Sequence, residues 1–385
     1  MTQPETKPPE GGDASSPLPI VAIGASAGGL EALRQLFSRL PAEPDMAFVV
    51  IQHLDPDRPS MLARILSGVT SLDVVEAASD MPLERNRVHV IPSGSDLIVR
   101  DGHLQLVPRE KTGRLHLPID RFFRSLAEDP TCRAIGVVLS GSGSDGTDGL
   151  RAIHAQGGFA MVQEPESAQF TSMPDSAISA GVADFRGSPE DIASELAHLG
   201  RHPYIAADAP QVRAPGGDSD AEDLDLDLDG ERESALASIF TALRKHAGVD
   251  FSGYKRTTLL RRIDRRMALR RIESLPAYAS ALHDDASEGQ ALAQDMLIHV
   301  TSFFRDPDAF AALEEQVFQQ LAKDKEPDET IRIWVAGCAT GEEAYALAMG
   351  LLEALTPTTT DPHIKIFATD LSEEAIAVAR LGVYP

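Results

Sequence analysis

The sequence predicts an α/β fold: first a doubly wound parallel sheet, then an all-helical segment, then an incomplete second parallel unit. Three observations carry this. From Leu18 to about residue 200, short apolar runs alternate with stretches whose apolar residues recur at helical spacing. From Ala206 to Arg232 the chain turns to aspartate, with Leu224-Asp225-Leu226-Asp227-Leu228-Asp229 as its extreme, and has too little apolar mass for a core. It reads as a solvated linker. Beyond it, Glu233 to Leu321 is helical in pattern, and Ile331-Arg332-Ile333-Trp334-Val335 opens a strand–glycine-loop–helix unit.

Each element has a local cause. Leu18 to Ile23 is a short buried strand, and Leu30, Leu33, Leu36, Phe37 and Leu40 mark the helix behind it. Ala47 to Ile51 is the next strand. Val88 to Ile91 follows, then Asp96 to Val107, which reads as short strands with a turn at Gly102. Ile119 to Glu128 is helical, Ala134 to Leu139 is a buried strand, and Asp148 to Gln156 is the helix after a glycine loop. In the last segment, Ile364-Lys365-Ile366-Phe367-Ala368 forms a second strand ending at Asp370. This rhythm implies a parallel sheet with ligands at the carboxyl ends of its strands. Two strands alone do not finish a sheet.

Gly24-Ala25-Ser26-Ala27-Gly28-Gly29 lies where the first strand meets the first helix and satisfies G-x-S-x-G. Its serine is thereby placed beside free backbone N–H groups, which stabilise an oxyanion. A dinucleotide loop competes with this reading. However, Ser26 replaces the glycine that lets a pyrophosphate approach, and the next strand ends in Gln52-His53, not in an acid for a ribose. A plain strand–helix turn is the other alternative. A nucleophilic serine needs a base, and the base needs an orienting acceptor. His53 ends the second strand, and Ser140-Gly141-Ser142-Gly143-Ser144-Asp145-Gly146 follows the strand Ala134 to Leu139. Taken singly, His53 fits a satisfied buried histidine. The glycine loop alone fits a phosphate or metal loop, with Asp145 or Asp148 as a helix cap. Three strand ends converging with Ser26, His53 and Asp145 favour a triad.

At 385 residues the chain has room for two or three domains. A net charge of −24 disfavours binding of the whole chain to nucleic acid or anionic membrane. Cys132 and Cys338 alone provide no disulfide framework and suggest a reducing compartment. No apolar run approaches the ~20 residues of a membrane span, and the Pro-, Gly- and Ser-rich first 17 residues read as a disordered tail. The expectation is a cytoplasmic protein with no direct membrane insertion and no metal.

Residues 18–204 resemble the catalytic domain of the chemoreceptor protein-glutamate methylesterases (CheB type). The matching stretches are Ile23-Gly24-Ala25-Ser26-Ala27-Gly28-Gly29, Gln52-His53, the Gly141 to Gly146 loop, and Gln163-Glu164-Pro165 through Phe170 to Met173-Pro174. Gln52-His53-Leu54-Asp55-Pro56 and Pro118-Ile119-Asp120 look like the esterase halves of esterase–methyltransferase fusions. The resemblance implies Ser26 as nucleophile, His53 as base and Asp145 as its orienter. It implies hydrolysis of glutamyl methyl esters on chemoreceptors, with glutamine deamidation beside it and no cofactor. Two departures stand out. Ser142 takes the place of a usual Met, and the phosphorylation-receiver domain of the stand-alone enzymes is absent.

Residues 233–385 resemble the chemoreceptor methyltransferases (CheR type), with 205–232 as linker, 233–300 as the helical N-terminal domain and 301–385 as part of a Rossmann-like domain that uses S-adenosyl-L-methionine. Thr301-Ser302-Phe303-Phe304-Arg305-Asp306 and Val335-Ala336-Gly337-Cys338-Ala339-Thr340-Gly341-Glu342-Glu343-Ala344-Tyr345 carry this resemblance. By position it implies cofactor contacts from Thr301, Arg305, Glu343 and Asp370. The family has Asn where His299 stands. A basic stretch with Arg261, Arg262, Arg265, Arg266, Arg270 and Arg271 corresponds to a helix associated with docking the cytoplasmic helices of methyl-accepting receptors. The alternatives there are a solvated charged face and, against the acidic whole, RNA binding.

The resemblance implies an N-terminal piece of a longer fusion, with further sensory or kinase domains in the full-length protein and a methyltransferase half that is inactive as it stands. Two other functions remain open on the sequence: a non-catalytic scaffold that binds receptors through enzyme-like domains, and another serine hydrolase on the same fold.

Overall fold

The computed structural model describes residues 17–54, 60–109, 116–202, 204–205, 230–297, 301–324, 330–355 and 363–384. The N-terminal tail, nearly all of the Asp-rich stretch and His299 lie outside the described residues. The chain divides into two compact units, residues 1–289 and 290–385.

The first unit opens with β1 (Leu18–Ala25), α1 (Gly29–Arg39), β2 (Ala47–Gln52), α2 (Leu62–Ser67), β3 (Asp73–Glu76), β4 (Met81–Pro82) and β5 (Arg87–Val90). There follow β6 (Ser95–Arg100), β7 (His103–Pro108), α3 (Pro118–Glu128), β8 (Cys132–Val138), α4 (Thr147–Ala155) and β9 (Phe159–Gln163). The α/β part closes with α5 (Ser172–Ser179), β10 (Phe185–Gly187) and α6 (Pro189–Leu199). Seven strands form one sheet in the order β10-β9-β8-β1-β2-β5-β3, every pairing parallel. From central β1 the chain winds to β2, β5 and β3 on one side and to β8, β9 and β10 on the other. The fold is therefore doubly wound, with its switch point beside β1.

β1 and β2 are buried on both faces, as central parallel strands must be. Leu33, Leu36 and Phe37 of α1 and Ile192 and Leu196 of α6 fill one side. Ile119, Phe122 and Phe123 of α3 and Leu150 and Ile153 of α4 fill the other. The turn expected at Gly102 joins β6 and β7, which with β4 make a separate antiparallel three-stranded sheet. Phe159–Gln163 is a five-residue strand with four apolar residues in a row, whose strand character periodicity alone does not mark. Only its pairing with β8 and β10 fixes it.

After the Asp-rich stretch come α7 (Gly230–Ala247), α8 (Arg256–Leu269), α9 (Leu275–Asp284) and α10 (Ala286–Met296). α8 carries the basic stretch, and in this fold much of that stretch is not a solvated face. Arg262 and Arg265 are among the most fully buried large side chains. Arg262 donates to the carbonyls of His154 and Ala155 at the end of α4, where a cation meets the negative end of a helix. Arg265 donates to Gly158 O at 2.9 Å and pairs with buried Asp184, whose other oxygen accepts from Ala160 N. Arg271 reaches Glu195 of α6 at 2.7 Å. Arg266 binds Glu288, which also accepts from Tyr278, and Arg270 binds Asp285. A sequence window sees only the charge density. The carbonyls and acids that bind Arg262, Arg265 and Arg271 lie some 70 to 110 residues away in the chain, whereas Glu288 and Asp285 lie 22 and 15 residues from Arg266 and Arg270.

The second unit contains α11 (Pro307–Leu313), a π-helical turn (Glu314–Phe318), α12 (Gln319–Asp324), β11 (Ile331–Ala336), α13 (Glu342–Leu355), β12 (Ile364–Thr369) and α14 (Glu373–Leu381). β11 and β12 pair in parallel. Phe318, Val335, Leu347, Leu351 and Leu355 form its small core.

Two predictions follow from this packing. Burial opposes the charge on Asp184, but Arg265 and His154 hold its pKa below the ordinary carboxylate value. Arg265→Ala should destabilise the first unit by about 3–5 kcal/mol, the cost of leaving a buried charge unpaired. Urea denaturation measures it, and a loss under 1 kcal/mol would show that the clamp is not structural. His89 of β5 is fully buried with neither ring nitrogen hydrogen-bonded, and burial, assisted by Arg87, pushes its pKa down to about 4. The unfolded chain takes up this proton nearer 6.5, so the contribution from neutral His89 is held above that pH and lost as pH falls toward 4. His89→Leu should flatten the stability–pH curve in that window. An unchanged slope would assign acid lability to other groups.

Candidate active site

Three adjacent strands deliver the three residues the sequence singles out. β1 ends at Ala25, and Ser26 follows with its N–H on Ser140 O at 3.0 Å and its carbonyl accepting from Gly29 N at 2.9 Å. The turn requires Gly28: its φ is +72°, and an added Cβ would meet Ser140 Oγ at 2.7 Å. α1 begins one residue later, so the Ser26 hydroxyl sits at a helix N-terminus. Among the described residues, the N–H groups of Ala27 and Gly28 have no hydrogen-bond partner.

β2 ends at Gln52, and His53 N–H donates to Ala25 O at 3.4 Å, extending the β1–β2 ladder by one step. This brings Ser26 Oγ and His53 Nδ1 to 3.0 Å. On the far side of β1, the loop after β8 brings Asp145 Oδ2 to 2.7 Å from His53 Nε2. Asp145 is 2% exposed, whereas the His53 side chain is 31% exposed, so the relay runs from a buried carboxylate to an open rim.

The hydrogen-bond pattern assigns the tautomer. An ionised carboxylate only accepts, so Nε2 of His53 carries the hydrogen and Nδ1 is the lone-pair nitrogen facing Ser26. Asp145 is fixed from its other side by the first turn of α3. Ile119 N donates to Oδ2 at 3.1 Å and Asp120 N to Oδ1 at 2.8 Å. These are unpaired helix-start amides with the positive end of the helix behind them. The set can take a proton from Ser26, hold it on His53 and deliver it to a leaving group.

Several residues that hold this geometry carry no local signal in sequence. Ser140 Oγ accepts from Phe170 N at 2.9 Å and lies 2.9 Å from Ala27 O. Gln163, buried at the end of β9, accepts from Ser140 N at 2.8 Å. Gly141 exchanges backbone bonds with Phe170 and Met173, which explains why the Gln163–Pro174 stretch belongs to the site. Ser142, Gly143 and Ser144 are exposed at the loop tip. Asp120 is nearly buried beneath the loop.

In the second unit, the glycine loop follows β11 and Asp370 follows β12. Asp370 accepts from Ala339 N and Ser372 N, both at 2.8 Å. Gly337 has φ +72° with open space where a Cβ would stand. Tyr384 O–H donates to Thr340 O at 2.7 Å, and its ring meets Phe303 at 4.9 Å. The Thr301–Asp306 segment is thereby tied to the loop, with Arg305 exposed, as is Glu343 at the start of α13.

Three family models match successive parts of the chain. A CheB methylesterase model matches residues 21–196. The CheR methyltransferase all-alpha domain matches 234–297, and the CheR methyltransferase SAM binding domain matches 299–385. An "Uncharacterized 104.1 kDa protein in hypE 3'region" of Rhodobacter capsulatus is 41% identical over 329 residues, 84% of this chain and 34% of that protein. A protein-glutamate methylesterase/protein-glutamine glutaminase of Moorella thermoacetica is 35% identical over 47% of this chain and 44% of its own length. A putative protein of the same description from Leptospira interrogans is 32% identical over 46% of this chain and 93% of its own length. The chain thus spans about a third of the first relative and under half of the second. Among the described residues, no helix is long and apolar enough to cross a membrane.

Proposed function

The chain belongs to the protein-glutamate methylesterase family, carrying a CheB methylesterase domain joined to CheR all-alpha and SAM-binding domains, and on that footing we propose that its first unit hydrolyses glutamyl methyl esters on the cytoplasmic helices of chemoreceptors. The observation that supports this most is the unbroken relay from Ser26 Oγ through His53 to Asp145, with links of 3.0 and 2.7 Å.

In the proposed reaction Ser26 Oγ attacks the ester carbonyl while His53 Nδ1 takes its proton. The tetrahedral oxyanion is met by backbone N–H groups at the start of α1, those of Ala27 and Gly28 being unpaired. Its collapse breaks the C–O bond, and the His53 proton leaves with methoxide as methanol. Water then attacks the acyl-serine, giving its proton to His53. Collapse returns that proton to Ser26 Oγ and frees the glutamate carboxylate. A glutamine side chain would follow the same path with ammonia as leaving group, in keeping with the double description of the Moorella and Leptospira relatives. Asp145 keeps the hydrogen on Nε2 and stabilises the imidazolium throughout. The steps need only water as co-substrate, and their product is a carboxylate on a receptor helix in the cytoplasm.

For the methyltransferase half we propose that Thr301, Arg305, Glu343 and Asp370 face S-adenosylmethionine, which when bound supplies an electrophilic methyl group. Asp370 suits the ribose hydroxyls at the end of β12. We propose further that the 385-residue polypeptide does not itself methylate. A doubly wound site is a crevice between several strands, and the described residues of the second unit form one strand pair, with Trp334 72% and Phe367 55% exposed on it. A scaffold that binds receptors without catalysis is the competing reading, and turnover separates the two.

Ser26→Ala should keep the circular dichroism of the wild type and lower kcat for methanol release from methylated receptor by on the order of 10⁴ or more. Near wild-type release by the variant would remove Ser26 from the nucleophile role. Isothermal titration of the 385-residue chain with S-adenosylmethionine should show no micromolar binding. A micromolar Kd would mean that one strand pair suffices.

A further inference from the structure

Two helix starts face each other beneath the site, and each binds the carboxylate carried by the other. The first turn of α3 donates two N–H groups, Ile119 and Asp120, to Asp145 at 3.1 and 2.8 Å. Asp145 stands two residues before α4. In return, the start of α4 donates Gly146 N and Gly149 N to Asp120 Oδ1 at 3.0 and 2.7 Å. The exchange is tightly built. An added Cβ on Gly146, which has φ +94°, would meet Ile119 Cγ2 and Val138 Cγ2 at 2.9 Å, and one on Gly149 would meet Asp120 Cα at 3.1 Å. Asp120 is 5% exposed and Asp145 2%. None of Asp120's hydrogen bonds goes to His53 or Ser26.

We propose that Asp120 is a positioning residue for the esterase reaction: by gripping the start of α4 it fixes the loop that holds Asp145 on His53 Nε2, and so keeps His53 in the tautomer that faces Ser26 with a bare Nδ1. The residue acts through Asp145 and touches no reacting atom. Its inward-pointing carboxylate also gives the site a second titration. Burial, together with the negative charges of Asp145 on the loop and Asp148 on α4, pushes its pKa up to about 7, against the backbone bond from Gly149 and the pull of Arg124 on its own helix. An ionised Asp120 is the stronger acceptor for the two amides. The grip therefore tightens as pH rises through neutrality and slackens below it, in the same direction as deprotonation of a histidine base.

The inference rests on the esterase reading, and the experiment keeps the two apart. Methanol release from a methyl-esterified glutamyl helix is measured against pH for wild type, Asp120→Asn and Asp120→Ala, and the His53 ¹⁵N tautomer is read by NMR in each. Asp120→Ala should lower kcat about 10- to 100-fold with KM within about twofold, and should lower the fraction of His53 with hydrogen on Nε2. Asp120→Asn keeps an oxygen for both amides but cannot ionise. It should retain most of kcat at its optimum, and its acid limb should lose one of the two ionisations shown by wild type. If Asp120→Ala does not fold, the shape of the Asp120→Asn limb decides. A wild-type acid limb unchanged in Asp120→Asn, or an unchanged His53 tautomer in a folded Asp120→Ala, would overturn the proposal. If wild type releases no methanol, the esterase reading fails, and the tautomer measurement alone decides the role of Asp120.

Discussion

The site depends on one constraint, the parallel registration of β8, β1 and β2. Gly24 sits opposite Val138 on one side and Ile51 on the other, and Ala25 sits opposite Gln52. Because all three strands run the same way, their carboxyl ends finish at one edge, and residues following each end are carried to one place. A slip of one residue in either pairing would turn a strand's side chains to the other face of the sheet. Ile20, Val21, Ala22 and Ile23 are fully buried on both faces, so a slip would force side chains of different size into close-packed surroundings. The apolar core thus does more than stabilise the unit: it sets the distance from Ser26 to His53.

Helix termini complete what the strands begin. Ser26 stands at the start of α1, Asp145 receives the start of α3, and Asp120 receives the start of α4. At the other end of α4, Arg262 takes the last carbonyls. α4 is therefore held at both ends, by a buried acid at its N-terminus and a buried cation at its C-terminus, each charge matching the helix dipole. The cation comes from the CheR-type all-alpha segment. Up to Gly289 that segment belongs to the first unit, with Ala268 inside the same apolar cluster as α1 and α6. A receptor helix seeking an acidic–basic match with α8 would find Arg262 and Arg265 already engaged.

What the sequence made legible follows from range. Ser26, His53 and Asp145 were readable because each closely follows an apolar run, and the turn chemistry of Gly28 and Gly146 is local. The hairpin at Gly102 was readable for the same reason. β9 was not marked, because four apolar residues after two glycines suit several structures until neighbours select one. Asp120 stood out only as part of a family-like Pro-Ile-Asp, since the amides it binds lie 26 and 29 residues ahead. The basic stretch of α8 was legible as charge but not as burial. The partners of its buried arginines are backbone carbonyls of α4 and its following turn and an aspartate 81 residues away, which no composition reveals. His89 looked like any strand residue, and its unpaired ring appears only once β2 and β3 close over it.

The central claim is that Ser26, His53 and Asp145 work as one relay, and coupling between two of them tests it most directly. Methanol release should be timed for His53→Ala, Asp145→Ala and the double variant under the same conditions. A single relay predicts that the double variant is no slower than His53→Ala alone, because an orienting acid has nothing to orient once the base is gone. Losses that multiply in the double variant would contradict it, showing that Asp145 contributes through a path that does not pass through His53.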